Sequence, residues 1–250
     1  MDDNVLALRL AEEAGAALLK IQREAAPDEL GTRALKDRGD RESQLLLAAS
    51  LAHHRPDDAV LSEEAADDLA RLSADRVWII DPLDGTREYS EGRDDWAVHV
   101  ALWECGELTA AAVALPGLGT TLGSSDKALS WEPVNRVRLA VSRTRATPLV
   151  EALARELDAE LVPMGSAGYK AAAVVRGEVD AYVHTGGQYE WDSAAPVAVA
   201  RAAGLFTSRV DGSPLRYNNE NPYLPDLIVC NPSLAETLLT RIGVLMEGGL

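Results

Sequence analysis

The chain has 250 residues, of which 47% are hydrophobic and 26% are charged, and its formal net charge is −16. This length and composition predict a globular protein with a sizeable core, built as one large or two small domains. The negative charge disfavours binding to nucleic acid polymers and to anionic membranes. A small anionic substrate is still compatible with it, because bound Mg²⁺ reverses the local field.

Cysteine usage and the chain's first residues indicate a reduced, cytoplasmic setting. Cys105 and Cys230 form no Cys/His cluster, so neither structural zinc nor a disulfide framework is expected. The acidic first residues do not predict a secretory signal, and no uncharged apolar run is long enough to span a bilayer. We therefore expect a small-molecule partner, and the sequence leaves a homodimer open.

The N-terminal part of the chain alternates between helical and strand patterns. Apolar spacing predicts an amphipathic helix over Val5–Ile21. A second helix is predicted to begin at Asp40, as N-cap or first-turn residue, and to end near His53. A Gly/Ser-rich stretch, Pro116–Ser125, interrupts the pattern. The predicted strands before it are Val60–Leu61, Val77–Ile80, Trp96–Trp103 and Leu108–Ala114.

Beyond a soft boundary near residue 135, strands and helices alternate as in α/β proteins. The predicted strands are Val137–Val141, Leu161–Val162 and Asp180–His184. The predicted helices are Thr147–Leu157, Ser166–Arg176 and Asp192–Ala203, with Pro196 in the first turn of the last, where proline is tolerated. We therefore expect an N-terminal α+β half over 1–135 and a C-terminal α/β half over 136–250.

The most informative stretch is Trp78–Thr86, where an apolar strand ends in two carboxylates three residues apart. Asp81 and Asp84 offer hard oxygen ligands that suit Mg²⁺, and the backbone N–H groups at Gly85 and Thr86 suit a phosphate. Asp, Pro and Gly are also turn formers, so the stretch taken alone fits a surface turn equally well.

Two further carboxylates, Glu63 and Asp192, stand at the ends of predicted elements. Taken singly, Glu63 is typical of a solvated surface and Asp192 of a helix N-cap. Clustered with Asp81 and Asp84, they would raise each other's pKa and require cations. About two or three Mg²⁺ ions would relieve the repulsion and clamp the attacking and leaving oxygens of a phosphoryl displacement.

On these residues the chain resembles, nearly end to end, the lithium-sensitive, Mg²⁺-dependent phosphatases of the inositol monophosphatase family. The most specific segments are Trp78–Thr86 and Trp191–Pro196, and Glu63–Glu64 matches the upstream Glu pair. The resemblance implies an α/β fold with α+β character, a layered α-β-α-β-α sandwich with its site between the two halves.

The resemblance also implies roles for individual residues. Backbone N–H groups of Gly85 and Thr86 would hold the phosphate. Water activated through Thr86 and Asp40 would attack in line, with no phosphoenzyme. Asp37 is a rival for the role of Asp40, because the Thr that usually precedes this Asp in the family is absent here. The implied metal ligands are Glu63, Asp81, the Leu83 carbonyl, Asp84 and Asp192.

Within the family the chain resembles the CysQ branch, which hydrolyses 3′-phosphoadenosine 5′-phosphate. Glu190 precedes Trp191–Asp192 as in that branch, and Thr185 stands where the inositol-specific branch has Glu. The segment Ser142–Arg145 resembles a nucleotidase Ser-Arg-Ser-His loop, with Arg145 as a departure. The implied substrate-binding residues are Ser142, Arg143, Gly165, Ser166, Lys170 and Glu190.

Simpler roles are open for several of these residues. Arg143 and Arg145 would either neutralise a 5′-phosphate, which Arg does well through bidentate hydrogen bonds, or form a basic surface turn. Ser166 is a good helix N-cap, and Lys170 would then be an exposed helix lysine.

The leading hypothesis is a Mg²⁺-dependent 3′(2′),5′-bisphosphate nucleotidase that produces AMP and phosphate and serves sulfate assimilation. An inositol monophosphatase or fructose-1,6-bisphosphatase with broad tolerance is the alternative, and a non-catalytic anion or metal sensor is the rival of another class. The substitution Asp84→Asn is expected to abolish turnover with little loss of folding, because it removes one charge from a repelling cluster.

Overall fold

The computed structural model describes residues 1–144 and 146–249. The helices are α1 (Asp3–Glu24), α2 (Arg33–His54), α3 (Thr86–Ser90), α4 (Pro148–Leu157), α5 (Ala167–Val175), α6 (Glu190–Ala202) and α7 (Ala235–Glu247). The strands are β1 (Ala59–Ser62), β2 (Arg76–Asp84), β3 (Ala97–Glu104), β4 (Glu107–Leu115), β5 (Thr120–Gly123), β6 (Arg138–Ser142), β7 (Glu160–Met164), β8 (Ala181–His184), β9 (Gln188–Tyr189), β10 (Phe206–Ser208), β11 (Tyr223–Leu224) and β12 (Leu227–Cys230).

The strands form two five-stranded sheets and one small ribbon. The first sheet has the order β1-β2-β3-β4-β5, with β1 parallel to β2 and the other pairs antiparallel. The second has the order β10-β12-β8-β6-β7, with β8, β6 and β7 parallel. Strands β9 and β11 pair separately. Each large sheet therefore comes from one part of the chain.

Helices cover both faces of both sheets. Helices α1 and α2 pack on the outer face of the first sheet, and α5 and α6 lie between the two sheets. Helices α4 and α7 pack together against the outer face of the second sheet. The order of layers is α-β-α-β-α, which confirms the predicted sandwich.

Strand β2 reads as continuously apolar because both of its faces are covered. Trp78 and Ile80 point into the cluster beneath α1 and α2, whereas Val77 and Ile79 point into the cluster formed with α6. A register irregularity between Asp81 and Asp84 interrupts the ladder with β3 just before its last pair, Asp84 with Ala97. Asp81 and Asp84 therefore lie at the C-terminal end of a buried strand, which holds their backbone in place.

Helix α2 begins earlier than predicted. Its N-cap is Thr32, whose side chain accepts a hydrogen bond from the Leu35 N–H, so the prediction that Asp40 begins the helix is wrong. Gly39 lies buried inside the helix, where an added Cβ would come within 2.7 Å of the Tyr89 ring. This close approach places Asp40 beside the turn that follows β2.

Other boundaries also differ from the predictions. The Gly/Ser-rich stretch contains strand β5, which pairs with β4 at the edge of the sheet. Helix α6 begins at Glu190, so Asp192 is its third residue and Pro196 lies beyond the first turn. Among the described residues, no helix is long and apolar enough to cross a membrane.

Candidate active site

Four carboxylates from three elements of the fold meet in one cleft. Asp81 and Asp84 lie at the end of strand β2. Glu63 directly follows β1, the strand that pairs with β2, and Asp192 lies in the first turn of α6. Each of Glu63, Asp81 and Asp192 feels repulsion from others of the set. The structure therefore brings together the four acidic residues singled out in the sequence.

Asp81 is buried and only half satisfied. Its Oδ1 accepts a 3.0 Å hydrogen bond from the Leu83 N–H, while Oδ2 has no hydrogen-bond donor among the described residues. Burial, and then repulsion from Glu63 and Asp84, raise the pKa of Asp81 well above its ordinary value. An unpaired buried carboxylate oxygen is costly, so this atom is suited to a cation.

In contrast to Asp81, Asp84 has hydrogen-bond donors for both of its carboxylate oxygens. Its Oδ2 accepts hydrogen bonds from the Ser166 hydroxyl (2.5 Å) and the Gly168 N–H (2.6 Å), and its Oδ1 accepts one from the Ala167 N–H (3.2 Å). Burial alone would raise the pKa of Asp84, but His99 and these donors lower it to about 2. These hydrogen bonds change the expectation for Asp84→Asn from little loss of folding to a loss of stability, because the carboxylate anchors the start of α5.

Glu63 and Asp192 come from distant parts of the chain, one just after β1 and the other at the start of α6. Loss of hydration, and then repulsion from Asp192, raise the pKa of Glu63 to about 7, although its side chain is accessible from the open cleft. Burial, and then repulsion from Asp84, raise the pKa of Asp192 to about 6. Asp192 Oδ2 also accepts a 2.6 Å bond from the Tyr189 N–H, which fixes it at the helix start.

His99 is a site residue that the sequence analysis left without a role. It is fully buried opposite Asp81 in the β2–β3 ladder, with Nε2 3.3 Å from Asp84 Oδ2 and Nδ1 3.0 Å from the Trp191 carbonyl oxygen. Burial would lower its pKa, but Asp84 and the Trp191 carbonyl raise it. The available signal was the alternation in β3, which puts His99 on the same face as Asp81 once the strands are paired.

The segment Gly165–Lys170 supports the site from the second sheet. Ser166 caps α5 as expected, and its hydroxyl also donates to Asp84. Lys170 is buried, so the alternative of an exposed lysine is wrong. Its ammonium donates to the Gly165 and Ser166 carbonyl oxygens and lies 5.2 Å from the centre of the Tyr182 ring. Lys170 thus fixes the turn whose amides bind Asp84.

Thr86 and Asp40 are the two residues that the family resemblance assigns to water activation. The Thr86 hydroxyl donates to the Leu83 carbonyl oxygen at 3.3 Å. Burial, and then repulsion from Glu64 and Asp37, raise the pKa of Asp40 to about 7. Between the described residues no hydrogen bond joins Asp40 to Thr86. Asp37 is exposed, with its carboxylate 3.5 Å from Arg33.

The predicted substrate contacts are only partly available. Ser142 is half-buried at the end of β6. Arg143 donates to Glu88 (2.6 Å) and to Glu91 (3.0 Å), so its guanidinium is already paired, and Arg145 lies outside the described residues. Glu190 is completely buried and binds the 218–219 loop rather than facing the cleft.

The donor set fits a hard divalent cation. Ligand atoms of Asp81, Asp84 and His99 lie within 4.8 Å of one another, and the Asp81 oxygen lacks a donor. The Glu63 carboxylate raises the pKa of Asp81, and a cation between the two groups would relieve their repulsion. Carboxylate oxygens clustered in this way are typical ligands of Mg²⁺.

Comparison with known proteins finds relatives that cover most of the chain. The chain is 51% identical to the 3′-phosphoadenosine 5′-phosphate phosphatase of Mycobacterium leprae, over 99% of this chain and 94% of that protein. It is 28% identical to the 3′(2′),5′-bisphosphate nucleotidase CysQ of Escherichia coli, over 86% and 94% of the two chains.

Solved structures share the fold. CysQ of Bacteroides thetaiotaomicron superimposes with a TM-score of 0.77 at 26% identity, covering 92% of this chain and 97% of that one. An IMPase of Thermotoga maritima superimposes with a TM-score of 0.79 at 22% identity, covering 99% of both. The family model described as "Inositol monophosphatase family" matches residues 4–243. The chain therefore belongs to the inositol monophosphatase family.

Proposed function

We propose that the protein is a Mg²⁺-dependent phosphatase that removes the 3′-phosphate of 3′-phosphoadenosine 5′-phosphate, giving AMP and phosphate. The observation that carries the proposal is the buried Asp81 oxygen without a donor, set among Glu63, Asp84 and Asp192. The names of the relatives that are 51–52% identical support the choice of substrate.

The cleft carboxylates would hold the metal. Bound Mg²⁺ would neutralise phosphate charge and make hydroxide accessible near neutral pH. About two or three ions would balance the charge of such a set. The proposed ligands are Glu63, Asp81, the Leu83 carbonyl, Asp84 and Asp192.

Asp40 is the proposed acceptor of the water proton. A general base works best when its pKa lies near the working pH, and the pKa of Asp40 is about 7. Asp37 is less suited, because it is exposed and faces Arg33. Since the Thr86 hydroxyl donates to the Leu83 carbonyl, its oxygen lone pairs remain to accept a hydrogen bond from water and so orient it.

The start of α3 would bind the phosphate. Gly85 has a φ of +91°, and an added Cβ would come within 3.0 Å of Ser166, so glycine is required at this close approach. The first N–H groups of a helix have no intrahelical partner, and those of Gly85 and Thr86 would donate to phosphate oxygens. Ser142 and the Gly165–Ser166 turn would border the rest of the substrate.

One observation favours a second candidate, an inositol monophosphatase. Arg143 already donates to Glu88 and Glu91, which weakens its case as the cation for a second phosphate. A substrate with a single phosphate needs no such cation. The two candidates share all of the metal residues, so only the substrate separates them.

A phosphate-release assay tests the proposal. Initial rates on 3′-phosphoadenosine 5′-phosphate, inositol 1-phosphate and fructose 1,6-bisphosphate would be measured with and without Mg²⁺, with Asp81→Asn as the inactive control. We expect Mg²⁺-dependent release and the highest kcat/KM for the nucleotide. A much higher kcat/KM for inositol 1-phosphate would overturn the substrate assignment. Activity without Mg²⁺ would overturn the metal assignment.

Three further properties belong to the same proposal. They are inhibition by lithium, a cytoplasmic location and a role in sulfate assimilation through removal of an inhibitory by-product. A lithium titration in the same assay gives the most direct check, because a resistant enzyme would weaken the family mechanism for this chain. A homodimer is compatible with the proposal but is not required by it.

A further inference from the structure

A polar network with two buried charges joins the N-terminal and C-terminal parts of the chain. It consists of Asp67, Arg71, Asn218, Asn219 and Glu190, and we call it the Arg71–Glu190 bridge. The reaction described above uses none of these side chains. Arg71 is 1% exposed and Glu190 is 0% exposed, so both charges must be matched inside the protein.

Arg71 forms one end of the bridge. Its guanidinium makes a bidentate pair with Asp67, at 2.7 and 2.9 Å. It also donates to the Asn218 side-chain oxygen at 2.6 Å and to the Asn219 carbonyl oxygen at 2.8 Å. A single cation therefore ties the segment after Glu63 to the 218–219 loop.

Glu190 forms the other end. Its Oε2 accepts a 2.6 Å bond from the Asn218 N–H, and its Oε1 accepts bonds from the Asn219 N–H and side-chain amide at 2.9 and 2.7 Å. Asn218 has a φ of +63°, which turns the loop so that successive N–H groups point at one carboxylate. The loop is thus clamped between Arg71 and Glu190.

The ends of the bridge adjoin two proposed metal ligands. Asp67 and Arg71 follow Glu63 within the connection from β1 to β2, and Glu190 stands two positions before Asp192 on α6. The bridge therefore connects the stretch of chain that carries Glu63 to the helix that carries Asp192.

We propose that the Arg71–Glu190 bridge sets the separation of Glu63 and Asp192 and so pre-organises the Mg²⁺ site, an inference that rests on the proposed function. Arg71 and Glu190 are positioning residues in this scheme. Glu190, predicted from the sequence to bind substrate, acts instead through the loop that it holds. Partners behind metal ligands typically change metal affinity by about 10- to 100-fold when removed.

Calorimetric titration of the full chain with Mg²⁺ tests the bridge independently of turnover. Arg71→Gln removes the bidentate pair and both links to the loop, and its Kd for Mg²⁺ is expected to rise by about 10- to 100-fold. Asn218→Gly is the milder variant, because glycine accepts the positive φ and only the side-chain link to Arg71 is lost. We expect an intermediate rise in Kd for it.

The matched control is Arg138→Gln. Arg138 makes a similar bidentate pair with Asp180, between β6 and β8, without touching a segment that carries a metal ligand. Its Kd for Mg²⁺ should equal that of the wild type even where its thermal stability falls. In the phosphatase assay, the bridge variants should need more Mg²⁺ for half-maximal rate while recovering most of the wild-type kcat at saturating Mg²⁺.

An unchanged Kd in Asn218→Gly would overturn the inference, and this variant decides the matter if Arg71→Gln does not fold. An equal rise in Arg138→Gln would overturn it as well, since the effect would then follow general destabilisation. Failure of the wild type to hydrolyse the nucleotide is a separate result, which would sink the proposed function while the ratio of Mg²⁺ Kd values still reports on the bridge.

Discussion

The two carboxylates of strand β2 should respond in opposite directions to the same substitution. Asp81→Asn keeps the oxygen that accepts from the Leu83 N–H and replaces the oxygen without a donor by an NH₂ group that can donate to Glu63. Asp84→Asn instead places an NH₂ group against the N–H donors of Ala167 or Gly168. The first change removes an unfavourable charge, and the second breaks an anchor.

The magnitudes follow from the cost of unmatched buried groups. Removing an unsatisfied buried group should raise the free energy of unfolding of metal-free Asp81→Asn by about 1–3 kcal/mol. Losing charge-assisted hydrogen bonds should lower that of Asp84→Asn by about 1.5–3 kcal/mol. For a chain of this size, 1 kcal/mol corresponds to roughly 2–4 °C in Tm. The two variants should therefore differ in Tm by roughly 5–24 °C.

Thermal unfolding in a chelator at about pH 8 measures this difference, because the repulsion is strongest there. Both variants should also lose Mg²⁺-dependent turnover, since both residues are proposed metal ligands. Ser166→Ala is the control: it removes one donor to Asp84 and should lie between the wild type and Asp84→Asn in Tm. Equal losses of Tm in Asp81→Asn and Asp84→Asn would refute the opposite roles assigned to them.

Three other predictions concern protons and packing. Because a base must be deprotonated and the pKa of Asp40 is about 7, kcat/KM should rise with pH through about 7. Asp40→Asn should lower kcat by about 10²–10⁴-fold. A flat pH profile of kcat/KM would exclude Asp40 as the base. The pKa values of Glu63 and Asp192 are raised to about 7 and about 6. The metal-free protein should therefore lose stability as the pH rises from about 4 to 7. For the same reason Mg²⁺ should raise Tm more at pH 8 than at pH 5.5. Gly168→Ala would put a Cβ 1.8 Å from His99 Nε2 and should destabilise the fold by about 1–3 kcal/mol, whereas Gly243→Ala in α7 meets no atom within 4 Å and should not; equal Tm values would contradict the packing argument.

Much of the fold could be predicted, because many helices and strands have a local sequence pattern that does not depend on their partners. Strand β2 could be predicted because it is apolar on both faces, and α1 because its buried side chains repeat at helical spacing. The start of α2 could not be predicted from Gly39–Asp40, since glycine there marks a close approach to Tyr89, a contact made in three dimensions. Strand β5 could not be predicted for a related reason. It is a short strand at the edge of the sheet, and its only evidence is its pairing with β4.

The acidic residues of the site were predictable and their partners were not. A carboxylate at the end of an apolar strand is visible in the sequence, as Asp81 and Asp84 are. Whether that carboxylate is satisfied depends on donors from far along the chain, such as Ser166 and Gly168 for Asp84. The same limit explains Glu190, whose three donors come from a loop 28 and 29 positions away.

The four cleft carboxylates are not equivalent, and the difference indicates how the site can fold before it binds metal. Asp84 remains ionised because His99 and the start of α5 stabilise its charge, whereas Asp81, Glu63 and Asp192 have raised pKa values and can hold protons in place of a cation. Binding of Mg²⁺ at neutral pH is therefore expected to release protons, because the ions and the protons compete for the same oxygens. If all four carboxylates were hydrogen-bonded as fully as Asp84, no oxygen would be left to bind a cation. If all four lacked donors as Asp81 Oδ2 does, no carboxylate would anchor strand β2 to helix α5. The observed division supplies both.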